Sequence, residues 1–186
     1  AQRYDANGTA VGTNIVVGTS PSTYNITPAA AGLQDGGFVV AFAELFSDAP
    51  DTDGAIFFQR FDASGTSTGA AVRANTTTAG QQDSPSIVTL SDGSFVIAWQ
   101  TEPVDNRSSS ATIAAQRFTA AGAPLGGEVT VTTAALAYGA TPAITATHNG
   151  GYTIAWDAPG QNPAVGFPVH GVQGQVFSAD GTKQGG

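Results

Sequence analysis

The stretch "DGGFVVAF" at residues 35–42 is written again as "DGSFVIAW" at residues 92–99 and as "NGGYTIAW" at residues 149–156. The copies start 57 residues apart both times. Each copy places an Asp-Gly or Asn-Gly pair before an apolar run. That pattern is a strong signal for a tight hairpin turn, because such turns need the positive φ angles that glycine tolerates. The chain is therefore expected to repeat one β-rich unit.

Three further features recur at the same spacing. The segment "AQRYDANG" at Ala1 returns as "FQRFDASG" at Phe58 and "AQRFTAAG" at Ala115, and a degenerate copy, "GQVFSADG", begins at Gly174 after a slip of two residues. The other two features are a glycine that opens a β-rich run and a proline before a short apolar run, at Gly12, Gly69 and Gly126 and at Pro28, Pro85 and Pro142. Four features in one order make chance a poor explanation.

Each unit is predicted to form four short strands, which in the second unit are "SIVTL", "SFVIAW", "TIAAQRF" and "GEVTVTT". The second and third strands are apolar on both faces, as expected for strands covered on both sides, whereas the fourth alternates and is expected to be outermost. Small sheets of this kind suit face-to-face stacking. The predicted fold class is therefore all-β, a repeat of four-stranded antiparallel sheets that resemble β-propeller blades of about 57 residues each.

The predicted boundaries are a partial repeat at 1–18 (third and fourth strands), full repeats at 19–78 and 79–135, and a partial repeat at 136–186 (first to third strands). Joining the two ends would make three blades and leave one strand over, whereas propellers typically have about four to eight blades. Three arrangements stay open: a piece of a longer array, a ring completed by another copy, or an open stack that continues through its unpaired end strands.

Composition excludes several classes of partner. The chain has 14 acidic and 6 basic residues, a net charge of −8, which disfavours nucleic acid and anionic lipid. It has no cysteine, so neither a disulfide framework nor a thiolate metal site is available. No apolar run reaches the roughly 18 residues that indicate a membrane span. Because 41% of the residues are hydrophobic, the chain is expected to fold.

The pattern of "AQRFDA-G" followed by "DG-FVVAW" resembles the tandem repeats of large secreted bacterial proteins, including RTX-type calcium-binding adhesins. The resemblance covers essentially the whole chain. It implies an extracellular or cell-surface location, export without a cleaved N-terminal signal and membership of a long array, but no catalytic mechanism. The calcium-binding nonapeptide "GGxGxDxUx" of RTX proteins is absent from this sequence.

The loop after the second strand of the first full unit is rich in carboxylates. Asp48, Asp51 and Asp53 lie within a few residues of one another before a glycine, as a hard cation such as Ca²⁺ requires. The calcium pattern is incomplete, since no glutamate follows at the twelfth position. The alternative is a solvated acidic turn. Calcium is the one cofactor that the sequence suggests.

Aromatic residues mark a candidate ligand site. Trp99 and Trp156 end the second strand of their units beside a variable loop, where they can stack on sugar rings, or plug the core between stacked sheets. The third of these loops is the longest and carries Phe167 and His170. These four residues are the candidate ligand-binding set.

Arginine also recurs in register, at Arg3, Arg60 and Arg117. Two interpretations are open: a repeated anion or sugar-acid site, or a structural ion pair or backbone bridge within each blade. The last unit has Val176 at this position.

No Ser-nucleophile elbow, zinc-protease motif or phosphate-binding loop occurs, so the sequence predicts that the protein is not an enzyme. The predicted function is an extracellular structural or adhesive module that assembles with further copies, or with neighbouring repeats, into a filament or array. The alternative is a carbohydrate-binding module that recognises surface glycans, with or without Ca²⁺.

Overall fold

The computed structural model describes residues 1–18, 24–45, 53–102, 111–132, 140–161 and 168–185. Its fourteen strands are β1 (Arg3–Tyr4), β2 (Ala10–Val11), β3 (Tyr24–Gly32), β4 (Phe38–Leu45), β5 (Ala55–Phe61), β6 (Val72–Arg73), β7 (Gln81–Thr89), β8 (Phe95–Glu102), β9 (Thr112–Phe118), β10 (Pro124–Thr130), β11 (Ala143–Ala146), β12 (Tyr152–Gln161), β13 (Pro168–Phe177) and β14 (Lys183–Gln184). Among the described residues, no helix is long and apolar enough to cross a membrane.

The strands form one two-stranded and three four-stranded antiparallel sheets, each in chain order. We call β1–β2 the half-sheet, β3–β6 the first sheet, β7–β10 the second sheet and β11–β14 the third sheet. This arrangement confirms the predicted all-β fold of four-stranded antiparallel units. The third sheet also has a fourth strand, β14, where only three strands were expected.

Each repeated turn follows the chemistry of its sequence. In the second sheet, Gly93 adopts a φ of 83°, which an L side chain rarely adopts. Asp92 Oδ1 accepts a hydrogen bond of 3.0 Å from the backbone N–H of Ser94, and the N–H of Leu90 donates to the carbonyl of Ser94 at 2.7 Å. The turn thereby fixes the register between β7 and β8.

The sheets stack face against face, and the strand that decides the fold lies in the middle of the stack. One face of β8 shares a core cluster with β4 of the first sheet, through Phe95, Ile97 and Trp99 against Val39, Ala41 and Ala43. The other face shares a cluster with β12 of the third sheet, through Val96 and Ala98 against Tyr152, Ile154 and Trp156. Burial on both faces is why "FVIAW" does not alternate.

The repeated arginines connect each sheet to the next at the turn between the third and fourth strands. Their Nη1 atoms donate to backbone carbonyls of the following sheet, from Arg3 to Ser64 (2.5 Å), from Arg60 to Ala121 (3.5 Å) and from Arg117 to Ala179 (2.5 Å). The predicted backbone bridge therefore joins neighbouring sheets and does not lie within one blade. The acceptor lies in the turn of the following sheet, which stacking brings close to the arginine. The sequence of one repeat alone cannot show this contact.

Ion pairs of the predicted kind do lie within single sheets. Arg117 Nη2 lies 2.6 Å from Asp92 Oδ2, and Arg60 Nη2 lies 3.6 Å from Asp35 Oδ2. Both aspartates are in the turn between the first two strands of their own sheet. Asp62 instead stabilises its own turn, where its Oδ1 accepts from the N–H of Ser64 at 2.8 Å.

Candidate functional site

The two ends of each sheet differ in chemistry. We call the end at which the first strand turns into the second the turn end, and the opposite end, where the first strand begins and the second ends, the loop end. At the loop end of the second sheet, polar residues replace the apolar pattern. We call them the polar cluster, and its members, which share one face of the sheet, are Gln81, Asp83, Gln100 and Glu102.

Strand pairing brings the polar cluster together. Gln81 lies opposite Glu102 in the register of β7 and β8, and Asp83 lies opposite Gln100. Gln81 Nε2 donates to Asp83 Oδ2 at 3.2 Å, and Gln100 Nε2 donates to Glu102 Oε1. Gln100 and Glu102 are buried, whereas Gln81 and Asp83 are half-buried. Two carboxylates thus each hold an amide partner, and part of the cluster faces solvent.

The polar cluster belongs to the second sheet alone among the three repeats. At the positions of Asp83, the first and third repeats have Ile26 and Ala140. At the positions of Glu102 they have Leu45 and Pro159. Because burying a carboxylate costs free energy unless it is hydrogen-bonded, two acidic residues at positions that accept apolar side chains are not required by the fold.

Burial changes the acidity of the cluster. Desolvation raises the pKa of Asp83 above its ordinary value, although hydrogen bonds from Ser84 and Gln81 act in the opposite direction. Asp83 therefore retains its proton to a higher pH than a solvated aspartate. Carboxyl groups with a pKa shifted in this way concentrate at binding and catalytic sites.

Several buried polar atoms near the polar cluster have no hydrogen-bond partner among the described residues. They are Asp83 Oδ1, Thr101 Oγ1 and Trp99 Nε1. Leaving such an atom unsatisfied costs about 1–3 kcal/mol, and native structures rarely leave one without water, an ion or a ligand to satisfy it. Within the polar cluster, Asp83 Oδ1 is therefore a buried atom whose hydrogen-bonding capacity the described residues leave unused, whereas Thr101 Oγ1 lies on the other face of the sheet.

A second set of polar residues holds the start of β7 in place. Asn75 Nδ2 donates to Gln82 Oε1 at 3.0 Å, and Asn75 Oδ1 accepts from the N–H of Ile56 in the first sheet at 2.9 Å. Gln82 Nε2 donates to the carbonyls of Ala79 (3.0 Å) and Gly80 (2.9 Å). Both side chains are buried and bonded on both sides, so their role is to fix the strand that carries Asp83.

The strained backbone next to Asp83, at Ser84, also occurs at the equivalent position of the first sheet and is therefore a feature of the repeat. Ser84 has a φ of 51° at a register shift in β7, and Thr27 has a φ of 49° at the equivalent shift in β3. A proline follows each residue. Since both sheets share this bulge, it shapes the strand and does not distinguish the polar cluster.

The structure places the two predicted tryptophans in the packed core. Trp99 is fully buried between the first and second sheets, and Trp156 is buried between the second and third. Neither indole face is open to a sugar ring in this chain. Both act as plugs between stacked sheets, which is the alternative that the sequence left open.

The remaining predicted site residues lie largely outside the described residues. Phe167, Asp48 and Asp51 are outside them, and His170 is described only in its backbone, which pairs with Pro159. Asp53 is described and exposed. Within the described ranges, no group of three His, Cys, Asp or Glu residues is arranged to hold a metal ion. Calcium binding stays a prediction.

Sequence reasoning missed the polar cluster, although a signal was available. "QQDS" opens the second repeat's first strand, where the other repeats have shorter polar segments before proline. Comparing the repeats position by position would have shown carboxylates at two otherwise apolar positions. Glu102 is the last residue of β8, and the end of that strand could not be located from its sequence.

Neither a protein-family model nor a curated protein matches the sequence. Solved structures do match its fold. A Dyadobacter fermentans protein of unknown function aligns with a TM-score of 0.60 and 13% identity over 90% of this chain and 55% of its own. An endo-arabinase from Bacteroides thetaiotaomicron aligns with a TM-score of 0.57 and 14% identity over 92% of this chain and 63% of its own. The chain thus spans little more than half the length of these proteins.

These comparisons contradict the prediction that the protein is not an enzyme, because the matching structures include an endo-arabinase. At 14% identity, the likeness establishes the fold alone. The prediction failed because it relied on missing sequence motifs. Two carboxylates on neighbouring strands can perform acid–base chemistry without any fixed spacing in sequence. The comparisons offer no support for an adhesive filament.

Proposed function

We propose that the chain recognises carbohydrate through the polar cluster at the loop end of the second sheet. The observation that carries the proposal is the pair of amide-bonded carboxylates, Asp83 and Glu102, at positions that other repeats fill with apolar residues. The shared fold with an endo-arabinase supports the same class of ligand.

The chemistry of the cluster suits sugar hydroxyl groups. A carboxylate accepts hydrogen bonds from hydroxyl groups, and glutamine both donates and accepts. Gln81 and Gln100 orient the carboxylates of Asp83 and Glu102, and Asp83, which is half-buried, is the acid closer to solvent. Asp83 Oδ1, which has no partner among the described residues, supplies the unused hydrogen-bonding capacity. Specific recognition needs only a few polar groups held in this way.

Hydrolysis of the bound glycan is a second candidate function, and the raised pKa of Asp83 favours it. Glycosidases pair a protonated carboxyl, which donates to the leaving oxygen, with an ionised carboxylate that acts as nucleophile or base. Asp83 is the candidate proton donor, and Glu102, on the same face of the sheet, is the candidate second carboxyl group. Release of reducing ends from the bound polysaccharide would distinguish cleavage from binding alone.

Isothermal titration calorimetry with arabinan oligosaccharides tests the proposal, with cello-oligosaccharides as a contrast. We expect Asp83→Asn to weaken binding by about tenfold or more, as loss of a charged hydrogen-bond partner does. The matched control is Asp157→Asn, an exposed aspartate at the equivalent of Gln100 in the third sheet, which should leave affinity within about twofold. Equal affinities for wild type and Asp83→Asn, or no glycan binding, would overturn the proposal.

A further inference from the structure

The segment that connects the first sheet to the second leads directly into the polar cluster. Residues 74–80 run from the end of β6, the last strand of the first sheet, to the start of β7 at Gln81. We call residues 74–80 the crossover. Asp83 follows the crossover by three residues, so the position of its carboxyl group depends on how firmly the crossover is held.

One side chain of the second sheet holds the middle of the crossover. Glu128, on β10, accepts three hydrogen bonds at Oε2, from the backbone N–H of Thr76 (2.6 Å), the hydroxyl of Thr76 (2.9 Å) and the backbone N–H of Thr77 (3.1 Å). Desolvation alone would raise the pKa of Glu128, but these bonds hold it below its ordinary value. The carboxylate is therefore ionised at neutral pH, and hydrogen bonds to an ionised acceptor are among the stronger ones.

Two buried amide side chains connect this contact to the strand of the polar cluster. Asn75 Nδ2 donates to the carbonyl of Thr77 at 2.8 Å and to Gln82 Oε1 at 3.0 Å. Gln82 lies directly before Asp83, and its own amide donates to two carbonyls at the end of the crossover. Hydrogen bonds and backbone therefore link Glu128 continuously to the residue that precedes Asp83.

These contacts distinguish the second repeat from its neighbours. Thr132 takes the place of Asn75 in the next connection, and its hydroxyl accepts a hydrogen bond of 3.4 Å from the third strand of its sheet, as Asn75 does. Threonine has no amide group that could also reach the following strand. Ala71 takes the place of Glu128 in the first sheet. The polar cluster and the side chains that hold the crossover are thus found in the same repeat.

We propose that Glu128 is a positioning residue for the carbohydrate site, which holds the crossover so that Asp83 meets its ligand in a fixed place. The inference rests on the proposed function, because the site in question is the polar cluster. Glu128 acts through the crossover and not on the ligand. Ordering the crossover before a ligand arrives removes part of the entropic cost of binding.

Three variants separate positioning from charge and from general stabilisation. Glu128→Ala removes the acceptor, and Glu128→Gln removes the charge but retains an acceptor oxygen. Lys183→Met is the matched control, because Lys183 joins the third sheet to the carbonyls of Thr130 (2.7 Å) and Val131 (3.0 Å) beyond the crossover. Glu128 is half-buried on an edge strand, so all three variants should keep the wild-type circular dichroism spectrum.

The first measurement needs no ligand. In Glu128→Ala the start of β7 should become more accessible to water, so the pKa of Asp83, followed by NMR titration of its carboxyl carbon, should fall towards the ordinary value of 3.8. Glu128→Gln and Lys183→Met should keep the wild-type value. If the pKa of Asp83 is the same in Glu128→Ala as in wild type, or falls equally in Glu128→Gln, the positioning role is wrong.

The second measurement is calorimetry with arabinan oligosaccharides. Glu128→Ala should weaken binding by about fivefold or more, because the crossover must then be ordered when the ligand binds. Glu128→Gln and Lys183→Met should bind within about twofold of wild type. Equal affinities for Glu128→Ala and wild type would overturn the inference. A wild type that binds no oligosaccharide would instead overturn the proposed function, and the titration of Asp83 would still decide whether Glu128 positions it.

Discussion

The hairpin formed by β7 and β8 carries an aspartate at each end, and the surroundings of these two aspartates differ. At the turn end, Asp92 lies largely exposed, bonded to Ser94 and paired with Arg117 at 2.6 Å. At the loop end, Asp83 is half-buried, receives one amide at 3.2 Å and keeps an oxygen without a partner. Hydrogen bonding from Ser94 lowers the pKa of Asp92, whereas desolvation raises the pKa of Asp83.

The comparison distinguishes Asp92, which stabilises the fold, from Asp83, whose hydrogen bonds within the chain are incomplete. Asp92 has its hydrogen-bonding capacity satisfied within the chain, and related turns at Asp35 and Asn149 repeat its role. Asp83 is not repeated and stays partly unsatisfied. We therefore expect changes at the turn end to lower stability and leave glycan binding unchanged, and changes at Asp83 to weaken glycan binding without lowering stability.

The largest expected effect is loss of the aromatic group that supports the turn end. Phe95 lies 5.3 Å from both Phe58 and Phe118 by ring centroids and is fully buried. Phe95→Ala should lower the free energy of unfolding by about 3–5 kcal/mol, because it leaves a cavity in a close-packed core. Phe95→Leu, the control, should cost less than about 2 kcal/mol. Urea denaturation measures both.

Glycan affinity of Phe95→Ala should match that of wild type at temperatures where the variant is folded. Weaker binding by a variant with a native circular dichroism spectrum would show that the two ends are coupled, and the comparison between them would fail.

A smaller effect is expected from the arginine that joins the second and third sheets. Arg117 donates to Ser94 Oγ (3.0 Å), to Asp92 (2.6 Å) and to the carbonyl of Ala179 (2.5 Å). Arg117→Met keeps the aliphatic stem and should destabilise the protein by about 2 kcal/mol, since several charged hydrogen bonds are lost at a partly exposed site.

Arg60→Met is the natural control for Arg117→Met. Its contacts are longer, at 3.6 Å to Asp35 and 3.5 Å to the carbonyl of Ala121. Chemical denaturation should therefore show a smaller loss for Arg60→Met, of about 1 kcal/mol or less. Equal losses would mean that the stem of the side chain, and not its guanidinium group, holds neighbouring sheets together.

The repeat predicted the fold because each of its features acts locally. Asp92 and Gly93 define a turn by themselves, and the unbroken apolar run from Phe95 to Trp99 reports burial on both faces. The stack of sheets follows from these signals. The sequence did not decide the role of each candidate residue. The position of Trp99, for example, is consistent with packing in the core between sheets and with stacking on a sugar ring.

The candidate site was harder to predict because it depends on pairing between strands. Asp83 and Glu102 are 19 positions apart, and only the register of β7 with β8 brings them to one end of one sheet. A register shift at the bulge between Asp83 and Ser86 intervenes, so counting residues along the hairpin does not locate the pair. The Arg117 bridge was misassigned to a single blade for a similar reason, since its acceptor comes from the next sheet.

The smallest expected effect is a change in the pH dependence of folding stability, measured for Asp83→Asn and for Asp92→Asn. It is also the most direct test of the difference between the two aspartates. For Asp83, the folded-state pKa is raised, so its contribution to stability is present below the ordinary value of 3.8 and is lost as pH rises through the folded-state value. For Asp92, the folded-state pKa is lowered, so its contribution is present above 3.8 and is lost as pH falls through the folded-state value.

Melting temperatures measured from about pH 2 to about pH 8 should therefore change in opposite directions for the two variants. Relative to wild type, Asp83→Asn should gain stability as pH rises above 3.8, because it removes a charge from a desolvated site. Asp92→Asn should lose stability over the same range and approach wild type in acid. Since Asp92 is largely exposed, its effect is the weaker of the two. Parallel curves for both variants would mean that Asp83 is solvated like Asp92, and the raised pKa on which a proton-donor role depends would be absent.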